Sequence, residues 1–224
     1  MNTRLEKIFG NKRIAALAGN KHTGKTNNLV FMLEEQRRAT PHLNICVYGL
    51  PPNVMRYAVN ILGCVEISDL RHLNGKKDTL FVLDEFQKLG LNNRRNKEKR
   101  DMVVDFIYHD NNLLLLSSPN IREFNSVIGG IVESWALKSV SLDQCVNGSQ
   151  LKEIVRSYMG SRKSFDNIRT EKNEIIVMSD DREIVLYCAY VEVADSKKDN
   201  ISILSGELSS EKSSVLSEEI VIKL

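Results

Sequence analysis

The sequence predicts an α/β fold in which helices cover both faces of a mainly parallel sheet. Short, unbroken apolar runs alternate with longer segments of helical periodicity, and such runs are typical of strands that are buried on both faces. After Gly129-Gly130 the pattern changes, and two apolar runs flank Ser179-Asp180-Asp181. That arrangement predicts a β-hairpin, which would extend the sheet with antiparallel strands.

The predicted elements follow one another along the chain with short connections. We expect strands at 13–18, 44–48, 64–67, 79–83, 113–117 and 135–140, and a hairpin formed by 173–178 and 182–190. We expect helices at 25–37, 52–62, 96–108, 121–128 and 149–158, the last with Ser149 as its N-cap.

The chain divides into one large domain and a short tail. A single domain over 1–195 has ample length to build its own core. Residues 196–224 are rich in Ser and Glu, which predicts a flexible tail. The tail ends in the apolar run Ile220–Leu224. Two interpretations of that run stay open, a peptide that docks on a protein partner and a frayed terminus without a role.

Composition excludes several classes of protein. The net charge is +2, so the molecule as a whole does not resemble a polyanion binder, and no apolar run is long enough to cross a membrane. The N-terminal residues lack the apolar core of a signal peptide. The four cysteines are far apart, which predicts buried free thiols. We therefore expect a reducing, cytoplasmic location, including that of a virus-infected cell, or association with a virion.

The most informative segment is the phosphate loop, residues 19–26, which reads Gly-Asn-Lys-His-Thr-Gly-Lys-Thr. It matches G-x-x-x-x-G-K-[ST] at every fixed position, between a predicted strand and a predicted helix. In such a loop the backbone amides wrap a polyphosphate, Lys25 reaches the β- and γ-phosphates, and Thr26 binds Mg²⁺. The candidate nucleotide-binding residues are Gly19, Asn20, Lys21, His22, Thr23, Gly24, Lys25 and Thr26. The expected cofactors are ATP and Mg²⁺, on a three-layer fold of the P-loop NTPase type.

A second motif begins about sixty residues later, where an apolar strand ends in Asp84-Glu85. This is the Walker B pattern. Asp84 is placed to hold the Mg²⁺ hydration shell, and Glu85 to polarise the attacking water. Adjacent residues of a strand point in opposite directions, so the two acids have different tasks. A glutamate beside the aspartate favours hydrolysis over binding alone.

The strand that ends at Ser117 leads into a polar segment with two interpretations. If this strand lies beside the phosphate-loop strand, Ser118 or Asn120 is placed to sense the γ-phosphate. Alternatively, Asn120 caps the following helix.

These motifs together resemble the P-loop ATPases that have an extra strand between the two Walker motifs and a catalytic glutamate. Within that division, the chain is similar to the FtsK–HerA type, which includes viral genome-packaging ATPases and zonula occludens toxin-like ATPases. The similarity covers roughly residues 13–140 and includes the helix that ends Tyr108-His109-Asp110. The Ser/Thr-Gln that commonly ends the following strand in those families is replaced here by Ser117-Ser118.

The resemblance implies a ring-forming, homo-oligomeric motor that acts on double-stranded DNA. Such a ring presents an arginine to the neighbour's γ-phosphate, and the candidates are Arg94, Arg95, Arg100 and Arg122. Residues 88–100, here called the basic segment, contain six basic residues and one acidic residue. The segment is a candidate DNA contact, although a solvated surface loop would have the same composition.

Two other functions stay open from the sequence. One is a nucleotide-gated assembly protein that hydrolyses slowly and docks a partner through its tail. The other is a nucleoside kinase, because Asp84-Glu85-Phe86-Gln87 resembles the Asp-Glu-x-Gln of type II thymidine kinases. Those kinases have a paired-cysteine zinc module, and this chain has no such cysteine pair.

Overall fold

The computed structural model describes residues 3–162, 168–179, 182–188 and 220–223. Within them, one sheet has nine strands in the order β3-β2-β4-β5-β1-β6-β7-β8-β9. Pairing is parallel from β3 through to β6 and antiparallel from β6 to β9. The strands are β1 (Ile14–Gly19), β2 (Asn44–Tyr48), β3 (Val65–Glu66), β4 (Thr79–Leu83), β5 (Leu113–Ser118), β6 (Ser134–Lys138), β7 (Glu174–Ser179), β8 (Arg182–Tyr187) and β9 (Ile220–Lys223).

The described residues also form six α-helices. They are α1 (Arg4–Phe9), α2 (Lys25–Ala39), α3 (Pro52–Asn60), α4 (Lys97–Tyr108), α5 (Ser126–Gly129) and α6 (Gln150–Arg162). Short 3₁₀ turns occur at Leu70–Leu73, Phe86–Leu89, Ile121–Glu123 and Leu142–Gln144. No helix among the described residues is long and apolar enough to span a membrane.

Two apolar cores lie on opposite faces of the sheet. Alternate residues of β1 face different cores, so Ile14 packs with one and Ala15 with the other. One core includes side chains of α4 and α6, and the other includes side chains of α1, α2 and α3. Because both faces are covered, every residue of β1, β4 and β6 is buried. The predicted three-layer α/β fold with added antiparallel strands is therefore confirmed.

Three element boundaries differ from the prediction for local reasons. The predicted helix 121–128 is wrong as a single helix, because Asn120 and Asn125 each cap a separate short turn. The predicted strand 135–140 ends at Lys138, since Ser139 has φ +43° and leaves the extended region. The strand expected at 64–67 forms only Val65–Glu66.

Two other elements were not predicted. The first is α1, although its start is legible: Thr3 and Glu6 form a reciprocal capping box. The second is β9, whose residues pair with β8. They include four of the five residues of the expected docking peptide. Residues 196–219 of the expected flexible tail lie outside the described residues, and so does Leu224. The four cysteines are buried free thiols, as predicted.

Candidate active site

The phosphate loop joins the end of β1 to the start of α2. Gly19 is the last residue of β1, and Lys25 is the first of α2. Gly24 has φ +83°, and a Cβ there would lie 2.7 Å from the carbonyl oxygen of Lys172. Both the backbone conformation and the close approach require glycine at this position. His22 also has a positive φ, of 63°, so the loop turns sharply before the helix begins.

The backbone amides of the loop have no acceptor within the described part of the chain. Among the described residues, the N–H groups of residues 21–27 make no hydrogen bond of standard geometry, although Lys21 and His22 form a turn, and the first intrahelical bond runs from Asn28 N to Gly24 O. The Thr23 hydroxyl donates to Asn20 O over 2.9 Å, which closes the turn through a side chain. Free amides at a helix N-terminus attract anions, because the helix dipole adds to their partial positive charge.

Lys25 lies beneath this loop with its ammonium group buried. The residue is 7 % exposed, and its Nζ donates to Gly19 O over 2.8 Å and to Asn20 O over 2.5 Å. Burial lowers the pKa of Lys25 to about 8, and the nearby Asp84 carboxylate opposes this effect only in part. The ammonium is therefore held by neutral carbonyl groups and lacks full charge compensation.

Asp84 follows β4 directly and reaches the same end of the sheet. β5 lies between β4 and β1, which is the expected extra strand. Burial raises the pKa of the Asp84 carboxyl, while the nearby Ser117 hydroxyl lowers it. Ser117 Oγ makes no hydrogen bond of standard geometry to a described atom, so its effect is one of proximity and its own hydrogen-bonding capacity is unused. The environment thus favours a cation beside this pair of oxygen-bearing side chains.

Glu85 leaves the strand in a different direction. Its φ is +51°, in the left-handed region, and its side chain is half-buried in an ion pair with Lys88. The Glu85 N–H donates to Asp84 Oδ1 over 3.1 Å. Both acids lie beyond the end of β4, so strand alternation does not fix their directions; Asp84 is buried and Glu85 lies at the border of solvent. Lys88 holds the Glu85 carboxylate in one position.

A cleft of about 610 Å³ connects these groups. Of the predicted site residues, Lys21, His22, Gly24, Lys25, Thr26, Asp84 and Glu85 line it. Its lining also includes Asn27, Gln87, Lys88, Pro119 and Lys172. Gly19, Asn20 and Thr23 form the frame of the loop. Four lysines and a histidine face two acids, so the cleft carries a surplus of positive charge that suits a polyanion.

The predicted sensor residues lie beside the phosphate-loop strand but face elsewhere. Ser118 is the register partner of Ala18 on β1, which meets the condition set by the sequence. Ser118 Oγ exchanges hydrogen bonds with the backbone of Asn120, both at 3.1 Å. Asn120 Oδ1 accepts from Arg122 N over 3.2 Å and caps the 3₁₀ turn. Asn120 therefore acts as a capping residue in this structure, and it does not line the cleft.

The candidate arginines also lie outside the cleft. Arg94, Arg95 and Arg122 are exposed, and none lines the cavity. Arg100 has a structural task instead, because its guanidinium donates to the carbonyl oxygens of Leu91, Asn93 and Arg94. It thereby fixes the loop of the basic segment. The side chains of Arg94 and Arg95 make no hydrogen bond or ion pair to any described residue.

An aromatic cluster supports the site from below. The rings of Phe86 and Phe124 meet edge-on at 5.0 Å, and those of Phe124 and Trp135 at 5.4 Å. Phe86 follows Glu85, and Phe124 follows the Asn120 turn, so the cluster fixes both segments against β6. On the other side, Gly49 has φ +77°, and a Cβ there would lie 1.9 Å from the Asp84 carbonyl oxygen.

The geometry has a counterpart among solved structures. Neither the family models nor the curated proteins include a match to this sequence. One similar structure is that of the genome packaging NTPase B204 from Sulfolobus turreted icosahedral virus 2, in complex with ATP-gammaS. The similarity has a TM-score of 0.52 at 11 % identity and covers 75 % of this chain and 92 % of that one. The chain has the fold of a P-loop NTPase. The predicted resemblance to viral genome-packaging ATPases is confirmed at the level of the fold.

Sequence reasoning missed several residues of the cleft. Lys172 comes from the segment before β7, nearly 150 residues after the phosphate loop, and no motif marks it. Lys88 was assigned only to the basic segment, although its i,i+3 spacing to Glu85 could have indicated the ion pair. The described residues include no cluster of three or more His, Cys, Asp or Glu that could hold a metal.

Proposed function

We propose that the protein is a Mg²⁺-dependent ATPase that binds ATP in this cleft and hydrolyses the β–γ phosphoanhydride bond. One observation carries the proposal: a single cleft unites Lys25, Thr26, Asp84 and Glu85 beneath a loop whose amides have no other described acceptor. Each group has a task in phosphoryl transfer, and the reaction needs all of them at one place. The ATP analogue bound by B204, a protein of the same fold, supports the choice of nucleotide.

The roles of the individual residues follow from their positions. The amides of residues 21–26 bind the phosphate oxygens, and Lys25 exchanges its carbonyl contacts for the β- and γ-phosphates. Glu85 accepts a proton from the attacking water. For that step its carboxylate must turn from Lys88 towards the γ-phosphate. In the proposed mechanism the Glu85 carboxylate therefore gives up its ion pair with Lys88 and contacts the attacking water instead.

The residues present fit a magnesium ion. Thr26 and Asp84 both line the cleft, and Ser117 Oγ lies buried and unpaired near the Asp84 carboxyl. Mg²⁺ binds through few protein oxygens and keeps several waters, so the absence of a larger acidic cluster among the described residues agrees with this ion. When bound, the ion neutralises charge on the phosphate oxygens. Asp84 and Thr26 orient its hydration shell.

We further propose that the enzyme works as a homo-oligomeric motor on double-stranded DNA. Arg94 and Arg95 are exposed on a loop that Arg100 fixes, so they are available to a neighbouring subunit or to DNA phosphates. Arg122 is a third candidate for the arginine that acts in trans. B204, which has the same fold, is a genome packaging NTPase, and this supports a motor that acts on DNA.

The test is ATP turnover measured across protein concentration, with and without double-stranded DNA. We expect Mg²⁺-dependent phosphate release that rises above a concentration threshold and is stimulated by DNA. Lys25→Met serves as the control for contaminating ATPases. Turnover that is equal in Lys25→Met would contradict the ATPase, whereas turnover without threshold or DNA stimulation would contradict only the motor. Turnover that requires a nucleoside would favour the kinase.

A further inference from the structure

A fully buried lysine lies behind the phosphate loop. Lys138 is the last residue of β6 and the register partner of Gly19, and its exposed fraction is 0 %. Burial lowers the pKa of Lys138 to about 8. No described acidic side chain forms an ion pair with it. An ammonium group without a countercharge destabilises a protein interior, so its contacts are expected to serve a purpose other than stability.

The ammonium of Lys138 binds one short segment of backbone. Its Nζ donates to the carbonyl oxygens of Lys172 and Glu174, both over 2.7 Å, and to that of Glu171 over 3.3 Å. Residues 171–174, here called the clamped segment, lead directly into β7. A single buried charge therefore fixes the path of the chain before the antiparallel strands.

Asn28 connects the clamped segment to the phosphate loop. The Asn28 amide is best oriented with its oxygen towards Lys138 Nζ, at 2.7 Å. Its nitrogen then donates to Lys172 O over 3.0 Å and to Gly24 O over 3.1 Å. The missing side chain of Gly24 permits this approach, as described above. The clamped segment thus lies in direct contact with the loop and with the first turn of α2.

The result of this arrangement is the position of the Lys172 side chain. Its backbone is fixed by Lys138 and Asn28, whereas the residue is exposed and belongs to the lining of the cleft, as Lys25 does. The Lys172 ammonium makes no hydrogen bond or ion pair to a described residue. It differs in this respect from Lys88, which is held by Glu85, and from Lys25, which is held by the loop carbonyls.

We propose that Lys172 is a second phosphate-binding lysine of the cleft, supplied by the same chain, and that Lys138 and Asn28 are its positioning residues. The inference rests on the proposed function, because it requires a nucleotide in the cleft. A flexible ammonium near a polyphosphate binds it as a point charge, without the fixed geometry of a guanidinium. The antiparallel part of the sheet would then contribute directly to the nucleotide site.

The experiment is calorimetric titration of Mg²⁺ and ATP-gammaS into the full chain and into three variants. Two of the variants change Lys172, and the third is a control at another lysine. We expect Lys172→Gln to weaken binding by about tenfold to a hundredfold, the range for hydrogen bonds to charged groups. Lys172→Arg should recover most of the loss, since it restores the charge. Lys77→Gln, which removes the same charge from an exposed position before β4, outside the cleft and the basic segment, should bind like the wild type.

The outcomes separate this inference from the proposed function. Unchanged affinity in Lys172→Gln, with binding lost in Lys25→Met, would overturn the role of Lys172 and leave the ATP site in place. Absence of ATP-gammaS binding by the wild type would contradict the proposed function itself. Equal losses in Lys172→Gln and Lys77→Gln would mean that Lys172 acts only through its long-range charge, and would overturn its contact with phosphate.

Lys138 is tested by a double-mutant cycle with the same titration. We expect Lys138→Met to weaken ATP-gammaS binding as much as Lys172→Gln, and the double variant to bind no worse than Lys138→Met. Non-additivity of this kind reports that one residue acts through the other. Fully additive losses would show that Lys138 does not position Lys172. If Lys138→Met does not fold, Asn28→Ala takes its place in the cycle.

Discussion

The cleft and the basic segment both collect positive charge, but the two regions place it differently. In the cleft, Lys25 is buried and its pKa is lowered, and among the described residues its ammonium donates hydrogen bonds to the backbone carbonyls of Gly19 and Asn20. In the basic segment, Arg94 and Arg95 are exposed and fully available to water. A buried charge lowers the stability of the fold, whereas an exposed charge has almost no effect on it. The cleft therefore indicates a specific ligand, and the basic segment is compatible with many partners.

Of the changes that distinguish the cleft from the basic segment, the one at Glu85 is expected to have the largest effect. Replacing it by glutamine removes the group that we propose as the acceptor of the proton from the attacking water, so kcat should fall by about 10²- to 10⁴-fold while ATP still binds. Single-turnover phosphate release measures this directly. Glu153→Gln is the matched control, because Glu153 forms an exposed ion pair with Arg156 at the same i,i+3 spacing. Equal rates in Glu85→Gln and the wild type would remove Glu85 from the mechanism.

The charge of Lys25 should be visible in the stability of the nucleotide-free protein. Below pH 8 Lys25 is protonated in both the folded and the unfolded state, and burial of its positive charge destabilises the folded state. Between about pH 8 and 10.5 the folded state releases that proton and the unfolded state retains it. The free energy of unfolding of the wild type should therefore rise relative to Lys25→Met, by about 3 kcal/mol across this window.

Urea denaturation at pH 7.5 and at pH 10 measures this difference. Burial raises the pKa of the cysteine thiols and lowers that of Lys138, but these groups are present in both proteins, so their contributions largely cancel in the comparison. A stability difference that is independent of pH would show that the Lys25 ammonium is not buried in solution. ATP-gammaS should stabilise the wild type and leave Lys25→Met unchanged, because the variant lacks the ammonium that the phosphates need.

Gly49 tests how tightly the end of β4 is packed against its neighbour. Gly49→Ala places a methyl group against the Asp84 carbonyl at a positive φ, which should destabilise the fold by about 2 kcal/mol or more. Gly63→Ala is the control, since Gly63 has φ +64° and no atom within 4 Å of an added Cβ. The difference between the two melting curves isolates the contact with Asp84. Identical destabilisation would mean that Asp84 can shift freely.

The smallest effect is expected at Arg94 and Arg95. Reversing both charges should weaken binding to double-stranded DNA and lower the slope of log affinity against log salt by about two. ATP-gammaS affinity should stay at the wild-type value, because neither arginine lines the cleft. An unaltered salt slope would assign the two residues to solubility or to a neighbouring subunit. A loss of nucleotide affinity would mean that the two regions are not separate.

The sequence predicts the parts of the molecule whose physics is local. The strands β2 and β4 match the prediction, because an apolar run buried on both faces needs no further information. The phosphate loop and Asp84-Glu85 are legible for the same reason, since spacing within one strand or loop fixes their geometry. Where a polar side chain has two uses, as Asn120 does, the sequence leaves both open and the structure shows the cap.

The remaining features depend on contacts between distant segments. Lys172 enters the cleft only because Lys138, Asn28 and the absent side chain of Gly24 bring its backbone there. No property of the segment 171–174 by itself marks it as part of a site. The clamped segment is set by buried polar contacts across more than thirty residues, and periodicity does not report such contacts.

We propose that residues 19–26 hold a triphosphate against Lys25, and that Thr26 and Asp84 would hold Mg²⁺. The most direct measurement is a crystal structure of the protein with Mg²⁺ and ATP-gammaS. The account predicts β- and γ-phosphates within hydrogen-bond distance of the amides of residues 21–26 and of Lys25 Nζ. A structure in which the nucleotide binds elsewhere, while Lys25 keeps its contacts to Gly19 and Asn20, would contradict it.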